Sequence, residues 1–173
     1  MIVARATTGD VVNVFANLAP ARAAEACATS FHDDPRHLAH ELLMLRQGSA
    51  PGHVELWAFL EREEALAICG FVQFGPGLAG MIWVATPRWR EHAIASHRWW
   101  RQFFVPQVLH KFRRVEFTAA AADDDSRRWL AFVGFTEEGI AYRQSKRGED
   151  FVHFAWLNPD PAFGVQQASV PHV

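Results

Sequence analysis

Apolar and polar positions along this chain alternate between two rhythms, and the places where the rhythm changes mark the elements. Three short runs rich in β-branched and aromatic residues stand near the middle: Val54-Glu55-Leu56-Trp57-Ala58-Phe59, then Ala65 to Phe74, then Gly80-Met81-Ile82-Trp83-Val84-Ala85. The charged turn Glu61 to Glu64 separates the first two, and Gly75-Pro76-Gly77 separates the next two. Short β runs joined by tight turns predict an antiparallel meander. Ahead of it, Ile2 to Ala6 predicts a first strand. Thr7, Thr8 and Asp10 then offer N-cap chemistry to a helix through Val11, Val14, Phe15 and Leu18. Pro20 opens a second helix through Ala28, since proline suits a first helical turn. Asp33-Asp34-Pro35 opens a third, with Leu38, Leu42 and Leu45 at helical spacing.

After the meander the pattern predicts a helix from Arg90 to Leu109. It should be perturbed at Pro106, which lacks an amide donor. A strand over Val115 to Ala119 follows, then a helix over Asp124 to Phe132. Strands over Phe135 to Tyr142 and Phe151 to Trp156 flank the turn Lys146-Arg147-Gly148-Glu149. From Asn158 to Val173 the chain carries three prolines and no amphipathic period. The expected organisation is one mixed α/β domain over residues 1–157 and an extended tail over 158–173.

Composition sharpens this picture in three ways. Half of the residues are hydrophobic, with seven Trp and fourteen Phe, so aromatic rings must fill a core, a cleft or an interface. The net charge of −2 argues against a general nucleic-acid binder. Between Arg88 and Arg114, however, seven Lys/Arg face one acid, Glu91, which suits a small anionic ligand. Cys27 and Cys69 show no motif spacing and read as reduced thiols. No leader and no apolar run near the length of a membrane helix is recognised, so the expected location is the cytoplasm. His37, His40 and Glu41 match neither spacing of the zinc hydrolases, and no metal site is expected.

The stretch VEFTAAAADDDSRRWLAFVGFTEEGIAYRQSKRGEDFVHFAW, Val115 to Trp156, resembles the C-terminal half of the GNAT N-acetyltransferase superfamily. There a strand, a polar turn, a helix closing in Gly-Phe and two strands hold one side of acetyl-CoA. The resemblance implies the order β-α-α-β-β-β-α-β-α-β-β and an acetyl-CoA-dependent N-acetyltransferase acting on an amine. It also implies a pyrophosphate loop of the form Q/R-x-x-G-x-G/A, whose backbone amides and helix dipole hold the anion. In this chain that loop falls on Arg90, Glu91, His92, Ala93, Ile94 and Ala95. Arg90 and Ala95 fit the pattern, Ala93 replaces the central glycine, and Glu91 adds a repulsive charge. The added methyl is tolerated if φ at Ala93 is negative, but crowds a phosphate if the backbone must come close. The backbone at Trp83, Val84 and Ala85 would orient the thioester and stabilise its oxyanion. Asp123 and Ser126 would line the pantetheine arm. Leu130 occupies the position of a tyrosine that often protonates the leaving thiolate. Glu116 and His32 are the candidate bases for deprotonating the amine.

The N-terminal ARATTGDVVNVFANLAPARAAEACATSF, the RRWLAFVGF helix and the RGEDFVHFAW strand further resemble a GNAT-fold group encoded by tailed phages, related to short-tailed-phage internal virion and assembly proteins. That resemblance implies an alternative: a catalytically inactive scaffold serving virion assembly, with phage structural proteins as partners. A homodimer is compatible with both readings.

Overall fold

A computed structural model describes residues 1–159. The expected extended tail, apart from Asn158 and Pro159, lies outside the described residues. Strand β1 (Ile2–Arg5) leads into three helices, α1 (Thr8–Ala16), α2 (Pro20–Cys27) and α3 (Pro35–Gly48). The meander follows as β2 (Val54–Glu61), β3 (Glu64–Gly75) and β4 (Leu78–Ala85). After a long helical crossover come β5 (Arg114–Ala120), the helix Asp124–Phe132, β6 (Thr136–Ala141) and β7 (Phe151–Leu157).

All three helices expected ahead of the meander form, so the order departs from the implied one: three helices, not two, lie between β1 and β2. Local chemistry explains two of their starts. Thr7 closes a capping box on α1: its hydroxyl accepts from the Asp10 amide at 3.2 Å, and the Asp10 carboxylate accepts from the Thr7 amide at 2.8 Å. Asp34 caps α3 by accepting from the Arg36 amide at 2.9 Å, with Pro35 in the first turn.

The crossover corrects a second expectation. It is not one helix bent at Pro106. Pro87–His92 is a 3-10 turn, and α4 (Ala93–Trp99) starts only after it. A π-helical turn over Trp100–Phe104 intervenes before the short α5 (Val105–Gln107). The Val105 amide donates to the Trp100 carbonyl, five residues back, and the proline follows immediately. Pro106 cannot donate, and its ring crowds the preceding turn, so the helix widens before the proline. Trp100 and Phe104 are both buried, stacked at 4.5 Å between ring centres.

The seven strands form one sheet in the order β1-β2-β3-β4-β5-β7-β6. All neighbours are antiparallel except β4 and β5. The helix Asp124–Phe132, now α6, ends at Gly134, whose φ of +99° a side chain would strain; there the Phe135 amide turns back to the Leu130 carbonyl at 2.9 Å. One sheet face packs α1 and α3 through Val11, Val14, Ala39, Leu43, Leu56, Ala58 and Ile68. The other packs the crossover and α6 through Trp57, Phe59, Phe71, Trp100, Phe104 and Leu130.

Candidate functional site

The sheet forks between its two parallel strands. β4 and β5 pair only at Leu78 with Arg114, Ala79 with Val115 and Gly80 with Glu116. Beyond those residues β4 continues to Ala85 with β3 on one side only, while β5 continues to Ala120 against β7. The fork exposes a backbone edge of the kind an extended ligand arm can pair with. Trp83, Val84 and Ala85 all lie on the β4 arm.

The turn expected to hold pyrophosphate lies directly after that arm. Its conformation is fixed from the β2–β3 hairpin: Arg88 bridges Glu61 and Glu64, at 2.5 Å to Glu61, and His92 Nε2 lies 3.2 Å from Glu61. Ala93 has φ −53°, so the methyl replacing the glycine causes no backbone strain. Glu91, Ala93 and Ala95 are exposed, and Ile94 is 75% exposed. Arg90 projects into solvent, with Nη2 3.8 Å from the Asp125 carboxylate at the start of α6. The turn therefore offers two exposed guanidiniums, Arg88 engaged by Glu61 and Glu64, and Arg90 with the Asp125 carboxylate beside it.

Across the fork, Asp123 caps α6 by accepting from the Ser126 amide at 3.3 Å. Its carboxylate is also engaged by Arg22, which reaches over from α2. The Arg22 guanidinium donates to both Asp123 oxygens, to Ser126 Oγ at 3.1 Å and to Glu25 at 2.8 Å. Burial pushes the Asp123 carboxyl up, but the Arg22 and Ser126 hydrogen bonds outweigh it and hold the group below the usual carboxylate range. Glu25 in turn accepts from the Ala120 amide at 2.9 Å. The Ala121 amide points to Asp150 beyond β7, so by alternation the Ala120 amide points to the fork. Sequence reasoning missed Arg22 and Glu25. Their i, i+3 spacing on one helix face was the available signal.

The rest of the fork is aromatic. Trp83 on β4 stacks on Trp129 of α6, with ring centres 5.0 Å apart and planes 27° from parallel. Trp83 also meets Phe59 at 5.6 Å and Trp89 at 5.0 Å edge-on, while Trp129 meets Trp100 at 5.4 Å. Leu130 is fully buried in the core beneath α6.

The two candidate bases are in separate environments. Glu116, the last β5 residue paired with β4, accepts from Arg114 Nε at 2.6 Å, and the same guanidinium holds Glu138. His32 is in the loop before α3, stacked on His37 at 4.5 Å and 3.4 Å from Glu41. Two surface depressions, about 330 and 510 Å³, border the β2–β3 hairpin and the start of α1; neither involves the fork. Among the described residues no group of three or more His, Cys, Asp or Glu is placed to hold a metal ion, and no helix is long and apolar enough to cross a membrane.

No protein-family model matches the chain, and no curated protein matches it. Solved structures do. A mutant of the spermidine N-acetyltransferase SpeG from Vibrio cholerae superposes with a TM-score of 0.67 at 11% identity, over 96% of this chain and 99% of that one. An N-acetyltransferase from Staphylococcus aureus Mu50 gives 0.70 at 14% identity, over 91% and 98%. An acetyltransferase of the GNAT family from Streptococcus pneumoniae gives 0.63 at 13% identity, over 90% and 98%. The fold is the mixed α/β fold of the GNAT acyltransferases.

Proposed function

We propose that the chain is an acyl-CoA-dependent N-acyltransferase, with acetyl-CoA as co-substrate and an amine as acceptor. The observation that carries this reading is the fork between β4 and β5, where β4 presents an edge with no neighbouring strand among the described residues. An extended pantetheine arm matches such an edge, because its amides can hydrogen-bond as a strand would. In this reading the backbone of Trp83, Val84 and Ala85 orients the thioester carbonyl and supplies amide donors to the oxygen as it gains charge. Arg90 and the turn Glu91-His92-Ala93-Ile94-Ala95 hold the pyrophosphate. Asp123 and Ser126 border the arm, and Arg22 fixes their orientation. Glu116 or His32 takes the proton from the acceptor ammonium, and the amine then displaces the thiolate of CoA. With Leu130 at the position of the family's acid, the thiolate takes its proton from solvent. The protein acts in the cytoplasm and is compatible with a homodimer.

The test is titration with acetyl-CoA, followed by tryptophan fluorescence and calorimetry, because Trp83, Trp89 and Trp129 surround the fork. Saturable binding that Arg90→Glu abolishes is expected. No heat and no fluorescence change at millimolar acetyl-CoA would overturn the reading.

A second reading is favoured by one observation: the chain's own side chains engage Asp123, Ser126 and the Ala120 amide. In this reading the fold is a scaffold without turnover. A role in virion assembly would rest on the sequence resemblance alone. Release of CoA thiol from acetyl-CoA in the presence of an amine separates the two: turnover excludes the scaffold reading.

A further inference from the structure

An aromatic pair spans the fork on one face. Trp83 comes three residues after Gly80, the last β4 residue that pairs with β5. Trp129 belongs to α6, which follows β5 directly. One ring from each arm of the fork therefore meets the other, on the face that carries α4 and α6, and the two stack at 5.0 Å. Both rings are only half-buried, whereas Trp100 beside them is 2% exposed. An atom chain in van der Waals contact with a ring stands about 4 Å from it. For an arm to pass between these rings, they must separate to about 8 Å.

We propose that the Trp83–Trp129 stack is a lid on the acyl-CoA slot, and that its opening sets the rate and affinity of acyl-CoA binding. This rests on the reading of the fork given above. The moving part is the Trp129 side chain. Trp83 is wedged between Phe59 and Trp89 as well as Trp129, while Trp129 leans on Trp83 and Trp100. Helix α6 itself is fixed at its start, because Arg22 ties Asp123 and Ser126 to α2. A rotation of one side chain on an anchored helix opens the slot without moving a strand. The closed stack reduces the fraction of molecules competent to bind, and apparent affinity falls by that fraction. An aromatic pair of this kind shifts an equilibrium by about two- to tenfold.

The experiment compares wild type, Trp129→Phe and Trp129→Ala by stopped-flow fluorescence and calorimetry. The probes are acetyl-CoA and a CoA fragment lacking the pantetheine arm. Circular dichroism checks that each variant is folded. The expected result is acetyl-CoA binding about two- to tenfold faster and tighter in Trp129→Ala. Trp129→Phe should be intermediate, with the fragment's binding unchanged in all three. If Trp129→Ala does not fold, the step from wild type to Trp129→Phe alone carries the comparison. Binding by wild type with equal or weaker binding by the variants would overturn the lid and leave the acyltransferase reading standing; Trp129 would then be a platform. Absence of acetyl-CoA binding in wild type and variants alike would overturn that reading and the lid together.

Discussion

The two faces of this sheet are built from different materials. The face under α1 and α3 is mainly aliphatic: Val11, Val14, Ala39, Leu43, Leu56, Ala58 and Ile68. The opposite face is aromatic, running from Trp57 and Phe71 through Phe59, Trp83 and Trp129 to Trp100 and Phe104. Branched aliphatic side chains fix a helix on a strand with few rotamers and no polar atoms. Planar rings cover more area each and can exchange edge-on for stacked contacts at small cost. The aromatic face also borders the fork, and its core includes the buried Trp100 Nε1, which has no hydrogen-bond partner among the described residues. An indole N–H left without a partner in a core of rings costs stability.

Substitutions can test how deep that difference goes. The largest expected loss is Phe104→Ala, which empties a fully buried site between Trp57, Trp99 and Trp100. It should cost about 3–5 kcal/mol in urea unfolding. Leu56→Ala on the aliphatic face should cost about 2–5 kcal/mol and leave the tryptophan emission maximum unchanged, whereas Phe104→Ala should shift it. A shift with Leu56→Ala would mean that the two faces are coupled through the sheet. Gly70→Ala comes next. A Cβ there would lie 2.2 Å from the Glu55 carbonyl oxygen and 2.7 Å from Leu56 Cδ2, so β2 must move away. The expected loss is about 1–3 kcal/mol.

Arg22→Ala should cost about 1–2 kcal/mol, after allowance for a guanidinium that is partly solvent-exposed. Its pH dependence has a definite sign. The folded Asp123 carboxyl is held low, so the stabilisation is complete above the ordinary carboxylate range and disappears as pH falls through the lowered value. Unfolding of wild type and Asp123→Asn measured from neutral to acid pH should converge at low pH; parallel curves would show that Asp123 is not the titrating link. Thr7→Ala is the smallest, about 1 kcal/mol, since it opens only the capping box of α1.

Local chemistry was legible in the sequence. Thr7 with Asp10, Asp34 with Pro35, and the helix over Asp124–Phe132 follow from residues within one turn of each other, and the structure has each of them. The mixed α/β fold was also legible, through the Gly134-Phe135 turn and the strands around it. What escaped were contacts between residues far apart in the chain. The i, i+3 spacing marks Arg22 and Glu25 as a pair on α2 but not that Arg22 will reach Asp123, and the Trp83–Trp129 stack depends on where β5 turns away from β4. The widening at Trp100 was half-legible: Pro106 forecast a disturbance, but helix geometry places it on the N-terminal side of the proline. Glu116 was picked as a charge inside a strand and His32 as a neighbour of the acceptor cleft in the family it resembles, and each has local partners of its own.

The three-residue seam between β4 and β5 has a consequence for how the chain reaches its native form. β2, β3 and β4 can zip up as consecutive hairpins, each closing a short loop. β5 can join β4 only after the whole crossover from Pro87 to Lys111 is in place, and then gains just three residue pairs. Closing a long loop for so little pairing is slow. The meander should therefore become protected from hydrogen exchange early, and the β5–β7–β6 ribbon later, with the seam last of all.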